Sequence, residues 1–282
     1  MPQDTHKPLI FLRADSNGVP GDQPFVVVVS TRDQLGRWLR DGSPDLQWIQ
    51  VEGLLDDPDA WALAAQGEGD IPLDVVLSEP GGEFADLYRL VDVCGVREVR
   101  LSMPAAPGFL KALRLAASLA LPVRLLPGQP SDVVVRELAE ALSFYLHDSM
   151  VEAPIEFFHS TLAWMRGTES DSMWSICEQN PAIFDRSLAS LSPATPGAKE
   201  RRLPGDFVPR HLQRLIDEGA ECAACPWQPL CQGYFKWPDP SYSCQGVKQL
   251  FSTLRAAADE IGQDLTRFER STQYLTATTH GE

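Results

Sequence analysis

Four of the six cysteines in this 282-residue chain stand close together, as Cys222-Ala-Ala-Cys225-Pro-Trp-Gln-Pro-Leu-Cys231 and then, after twelve intervening residues, Cys244. Thiolates are ligands for soft metals, and a CxxC pair bends in a tight turn that points both sulfurs at one site. Cys231 is near enough to return to that site, and Cys244 closes the set just ahead of a helical stretch. By count, four thiolates suit zinc and an iron–sulfur cluster equally. Structural zinc usually takes two CxxC pairs, and here the second half is unpaired. Four unligated core cysteines would be the plain alternative, but the loop is short, polar and proline-rich, with little core to hide them. A redox CxxC would need neither Cys231 nor Cys244. We therefore expect Cys222, Cys225, Cys231 and Cys244 to bind one metal centre, a [4Fe–4S] cluster ahead of the zinc alternative.

The remaining candidates are weaker. Cys94 closes an amphipathic helical stretch and reads as core. Cys177 reads as structural, and whether it adds a ligand stays open. Trp227, inside the cysteine loop, is placed either to shield the metal from water or to serve as ordinary core. The five histidines show no metal-ligand spacing. Neither a P-loop, a dinucleotide-binding glycine pattern nor a Ser/His/Asp constellation is present. The net charge of −15 would be repelled by a phosphate backbone, so nucleic acid is not an expected partner. No apolar run reaches the ~18–20 residues of a membrane span, and Met1 to Arg13 does not read as an export signal. A reducing cytosolic setting, where clustered cysteines are metal ligands more often than disulfides, is expected.

The elements that must position these cysteines follow from periodicity. Apolar, β-branched runs at Phe25–Val29, Leu46–Val51, Leu73–Leu77, Arg97–Leu101 and Val123–Leu126 read as strands, with a further edge strand at Pro8–Arg13. Between them, Arg32–Arg40, Pro58–Gln66, Phe84–Cys94, Phe109–Ala120 and Ser131–His147 read as helices. Thr31 with Gln34 forms a capping box, and Asp57 precedes Pro58 as an N-cap. Strands and helices alternating at roughly 25-residue intervals predict βα units on a parallel sheet, covered on both faces or curled into a partial barrel. The stretch from Gly167 to Asp206 reads as linker. Phe207–Glu218 reads as a short helix, and a last helix starts at Val247 with Leu250, Phe251, Leu254 and Ile261 on one face. The tail after Ser271 reads as polar and frayed.

The run CxxCPWxPLCxG, followed by a later cysteine and a helix, resembles the SPASM region that extends many radical SAM peptide-modifying enzymes. In that family the first three cysteines of the pattern and the late one hold an auxiliary [4Fe–4S] cluster. Those positions match Cys222, Cys225, Cys231 and Cys244. The family's next cysteine falls on Phe235, and the upstream pair of its second cluster is missing, with Cys177 as the one candidate remnant. The resemblance thus implies one cluster. More faintly, residues 20–150 are similar to a radical SAM partial barrel: Leu46–Val51 runs into a worn turn at Glu52–Pro58, and Leu73–Leu77 into Ser78-Glu79-Pro80-Gly81. A generic βα-repeat domain is the alternative. The family's CxxxCxxC is absent, and no cysteine precedes Cys94. S-adenosylmethionine is therefore not an expected cofactor, and no radical SAM activity is expected.

The fold class expected is α/β: a partial βα-repeat barrel of radical SAM type over residues 1–165, a linker over 166–206, and a small SPASM-like metal-cluster domain over 207–282. The function implied by the resemblance is that of a non-catalytic iron–sulfur partner. It would work beside an intact radical SAM/SPASM enzyme on a ribosomally made precursor peptide or protein. An electron-transfer module and a zinc-stabilised binding protein are the alternatives. The small domain reads as short of core, so the metal is expected to staple residues from about 207 to 262.

Overall fold

The computed structural model describes residues 10–15, 24–66, 71–168, 172–177 and 207–279, with side chains through 268. Seven parallel strands lie side by side in chain order: β1 Ile10–Arg13, β2 Phe25–Val29, β3 Leu46–Glu52, β4 Leu73–Val76, β5 Val99–Pro104, β6 Val123–Leu126 and β7 Ile155–Glu156. Parallel neighbours need crossover connections, and helices supply them. They are α1 Arg32–Arg40, α2 Pro58–Ala65, α3 Pro80–Glu83 running through a 3₁₀ turn Phe84–Leu90 into α4 Val91–Cys94, α5 Phe109–Ser118 and α6 Asp132–His147. Then follow α7 Phe158–Met165 and α8 Met173–Cys177, and after them α9 Phe207–Asp217, α10 Gln228–Cys231 and α11 Gln245–Thr279. No helix among the described residues is long and apolar enough to cross a membrane.

Local chemistry sets many of these boundaries. The Thr31 hydroxyl accepts from Gln34 N at 3.3 Å, while Gln34 Oε1 reaches back to Ser30 N at 2.9 Å. The Asp57 carboxylate accepts from Asp59 N and Ala60 N ahead of Pro58. Ser131 caps α6 through Val134 N. Where a helix was expected over Phe84–Cys94, the chain is a 3₁₀ turn followed by one α-helical turn, and α3 precedes it at Pro80. Cys94 is exposed there, not in the core. Strand β5 starts at Val99, two residues later than expected. Arg97 lies outside it, and its guanidinium donates to Ala64 O and Ile71 O of the preceding connection. The expected Pro8–Arg13 strand is described from Ile10, and most of the expected linker lies outside the described residues. Helix α11 begins earlier than expected, at Gln245, and continues past Ser271 to Thr279.

Alternation along the strands separates the two faces of the sheet. One face carries Val27, Ile49, Val51, Leu73, Val75, Leu101, Met103, Val123 and Leu125, all buried in the main core. The same core continues into Leu230, Tyr234, Phe235 and Cys244, and into Val247, Leu250, Phe251, Leu254 and Ala258 of α11. The cysteine segment and the βα units thus share one core. Helix α11 lies on α6 and α7, and its first turn comes so close to α6 that a Cβ at Gly246 would stand 2.7 Å from Val135 Cγ1. The other face of the sheet carries a small apolar cluster of Phe11, Val26 and Val28 with Trp48 against it. From β3 onward that face turns polar.

Candidate metal centre

The cysteine loop is built from short turns. Glu221–Ala224 forms a 3₁₀ turn that carries Cys222, and Cys225 leaves it in an extended conformation with its N–H on Cys222 O at 3.3 Å. Pro229 opens α10, whose last residue is Cys231. Gln232 and Gly233 then both adopt left-handed backbone, at φ 46° and 79°. Glycine is required at the second position, because a Cβ there would stand 2.8 Å from Leu215 Cδ1. The reversal directly follows Cys231, and the backbone amides of Phe235, Gly233 and Tyr234 act to lower its thiol. Successive backbone N–H groups around one point make a cradle for an anion, the type of environment that surrounds many iron–sulfur ligands. Cys244 stands immediately before α11, its N–H on Glu221 Oε1 at 3.3 Å.

Charged neighbours surround the four thiols. Lys236 is buried, donates to Tyr242 O, and pairs with Glu221 Oε1 at 2.9 Å. Lys248, one turn into α11, pairs with the other oxygen of Glu221. The Lys248 bond, with Lys236 behind it, holds the Glu221 carboxyl at about 2. Burial pushes the Cys231 thiol up to about 11 and the Cys244 thiol to about 12, and it raises Cys222 as well. Lys236 opposes that rise at Cys222 and Cys244. Neighbouring cysteines add to it: Cys225 at Cys222, Cys222 at Cys231, and both Cys231 and Cys222 at Cys244. The four sequence-predicted ligands are therefore close enough to feel one another's charge.

They do not form a closed ligand set. Among the described residues no three His, Cys, Asp or Glu side chains are grouped as a metal site. Protonated thiols gather tightly only around a cation that displaces their protons and offsets their repulsion. In residue type, in spacing and in their mutual electrostatic influence, Cys222, Cys225, Cys231 and Cys244 fit a thiolate-bound metal. Such a site holding an iron–sulfur cluster supplies one-electron chemistry. At the position where the family resemblance calls for a further cysteine, the Phe235 ring is buried against Phe251, 5.9 Å between centroids. Trp227 packs on Phe251 at 5.6 Å with the Arg255 guanidinium over it, so it closes one side of the loop.

The loop is seated at the carboxyl end of β6, the end where parallel α/β sheets carry their ligands. Gln129 Nε2 donates to Phe235 O at 3.1 Å and Asp239 O at 2.8 Å, and Gln129 Oε1 accepts from Asp239 N. The Tyr242 hydroxyl donates to Pro130 O at 2.8 Å. Tyr234 is buried; burial raises its phenol, Cys177 adds to that rise and the Gly128 backbone opposes it. Burial pushes Cys177 up to about 12, against the pull of Tyr234 and Arg124. Cys177 is thus core, as expected, but it lies between the cysteine loop and the polar face of the sheet. An aromatic group of Trp174, Phe207, His211, Tyr234 and Trp237 backs the loop, with Trp174 Nε1 on Gln232 O at 3.0 Å.

Sequence reasoning missed Glu221, Lys236 and Gln129. Only Lys236 offered a signal, a lone cation between aromatic residues in the run Tyr234-Phe235-Lys236-Trp237. Chain and fold together define an all-parallel α/β protein with a cysteine loop docked at its carboxyl edge. Comparisons with protein-family models, with curated proteins and with solved structures find no match.

Proposed function

We propose that this chain is an iron–sulfur protein that works as a non-catalytic partner of a radical SAM/SPASM enzyme, in the cytoplasm, during maturation of a ribosomally made peptide or protein. The observation that carries the metal half of this reading is the backbone after Cys231. The left-handed turn at Gln232 and Gly233 directly follows Cys231, and the backbone amides after it lower the Cys231 thiol against the rise from burial, within a loop whose other three cysteines are electrostatic neighbours. Neutral core thiols have no use for such amides, whereas a metal-bound thiolate is stabilised by them. The partner half rests on the CxxCPWxPLCxG resemblance and on the sequential parallel sheet, which suits a βα barrel that has lost its CxxxCxxC. Cys222, Cys225, Cys231 and Cys244 are the ligands in this reading, and Phe235 marks the second cluster as lost.

Metal analysis of anaerobically purified protein tests it. About four iron and about four sulfide per chain are expected. About one zinc per chain without sulfide would replace the reading with a zinc-stabilised binding protein. Incubation with S-adenosylmethionine and a strong reductant should give no 5′-deoxyadenosine above background, and its appearance would remove the non-catalytic assignment.

A further inference from the structure

Helix α11 carries one apolar stripe, and the body of the protein covers only the first part of it. Val247, Phe251, Leu254 and Ala258 follow one another at alternating steps of four and three residues, and each is at most 3% exposed in the main core. The same spacing continues through Ile261, Leu265 and Phe268, and in the sequence through Thr272 and Leu275. Along this continuation the cover is lost: Ile261 is partly exposed, Leu265 is 43% exposed and Phe268 70%. A helix that merely ended at the surface would turn polar on this side once the body stopped covering it. The spacing is instead the strict seven-residue repeat of a two-helix seam. The helical backbone runs on from Asp259 to Thr279, roughly 30 Å at about 1.5 Å per residue.

The charges beside the stripe select what fits it. With Leu265 and Phe268 as the two seam positions of one repeat, the flanking positions are Gly262 and Asp264, then Glu269 and Ser271. A second copy laid parallel would set Asp264 against the partner's Glu269 on both sides of the seam. Laid antiparallel, with Leu265 facing the partner's Phe268, Asp264 meets the partner's Ser271 and Glu269 meets the partner's Gly262, so no like charges oppose. The antiparallel register also brings each helix end back to the other copy's body, with the partner's Leu275 at Ala258. There α7 and α11 leave an open groove of about 740 Å³, lined by Met165, Arg166, Ala258, Gly262 and Gln263 among others. A Cβ at Gly262 would meet nothing within 4 Å, so the space beside the seam is open to a second helix. A helix of another protein would need basic residues against Asp264 and Glu269, whereas a second copy needs nothing beyond this sequence. Because the first part of α11 is already docked, the seam does not have to nucleate the helix.

We propose that the chain forms a two-fold dimer through antiparallel pairing of the outer part of α11, with Leu265 packed on the partner's Phe268. The proposal is independent of the metal and of the partner enzyme.

Sedimentation equilibrium on the full chain, purified anaerobically, tests it. A dimer should predominate at about 50 µM and dissociate on dilution. Leu265→Glu should weaken dimerisation about tenfold or more, with an unchanged far-UV circular dichroism spectrum because the side chain is exposed. Raising the salt from about 0.05 M to about 0.5 M should tighten the native dimer, since each copy carries a net charge of −15 that the salt screens. A photo-crosslinking residue in place of Thr272 should attach to the partner near Ile261, a result that does not depend on how the Leu265 variant folds. A monomer at that concentration, a dimer that salt loosens, a dimer that Leu265→Glu leaves intact, or attachment near the partner's own position 272 would each overturn the proposal.

Discussion

The βα units and the cysteine loop are ordered by different forces. In the βα units, strands and helices bury Val27, Ile49, Leu73, Leu101 and Leu113 to zero or near-zero exposure, and apolar burial dominates. In the loop, no helix between Glu221 and Cys231 exceeds one turn, and isolated turns of that length do not persist in water. Its order comes from Leu230, Tyr234 and Phe235 reaching into the shared core, from Gln129 and Tyr242 bonding it to the sheet, and from Glu221 clamped by Lys236 and Lys248. The comparison teaches that a scaffold can rest on broad apolar burial while the segment carried on it depends on a few apolar anchors and polar contacts.

The largest effect sharpens this contrast. Cys222→Ala or Cys225→Ala should remove nearly all bound metal, because a missing thiolate opens the ligand set, while far-UV circular dichroism changes little. Cys94→Ala should leave metal content intact, since Cys94 is exposed on α4. Equal metal loss from all three variants would show that the loop is not the centre.

Next in size comes a change inside the scaffold. Asp74→Asn leaves Arg100 and Arg124 facing a neutral amide in a buried site, which should cost about 3–5 kcal/mol in chemical denaturation. Burial alone would push the Asp74 carboxyl up, but Arg124 and Arg100 outweigh it and hold it below the ordinary carboxylate value. With the folded value depressed, its stabilisation is fully present above about pH 4 and is lost as pH falls through the folded value. The gap between native chain and variant should therefore be constant from pH 7 to about 4 and narrow below that. A gap independent of pH down to 2 would contradict the ion cluster. Metal content at pH 7 should not change in the variant.

Much of the scaffold was legible because its signals are local. The caps at Thr31 and Asp57 and the apolar runs of β2, β3, β4 and β6 are read directly from residue type. The misses have physical causes. Strand β7 is two residues long, too short for any period to show, and it exists because Ile155 and Glu156 pair with Val123 and Arg124. Cys94 was placed in the core from a helical period that the 3₁₀ turn of Phe84–Leu90 does not keep. The polar face of the sheet was hidden within strands that read as apolar overall, as in Leu73-Asp74-Val75-Val76, since one charge per strand looks incidental until neighbours align in register. At the candidate site, the nearness of the four cysteines was legible, whereas the left-handed turn after Cys231 needed the backbone of Gln232 and Gly233.

The smallest effect bears on an expectation about the last helix. From sequence, residues 207 to 262 read as a unit too poor in core to stand without metal. In the structure α11 is docked on α6 and α7 by Leu250, Phe251 and Leu254, each at most 4% exposed. Burial of such side chains contributes roughly 1.5–3 kcal/mol each, enough to hold the first half of the helix with no ligand in place. The parts that lack such anchors are Cys222 to Gln228 and the segment leading into Cys244. There the Cys225 and Cys244 amides are held only by 3.3 Å bonds. Removing the metal with a chelator should therefore speed hydrogen exchange at Cys225, Gln228 and Cys244 while leaving Leu254 and the strands protected. Gln129→Ala should extend the loosening to Phe235 and Asp239, whose carbonyls it holds. Faster exchange along the whole of α11 would restore the staple role for the metal and show that the shared core is too weak to keep the helix in place.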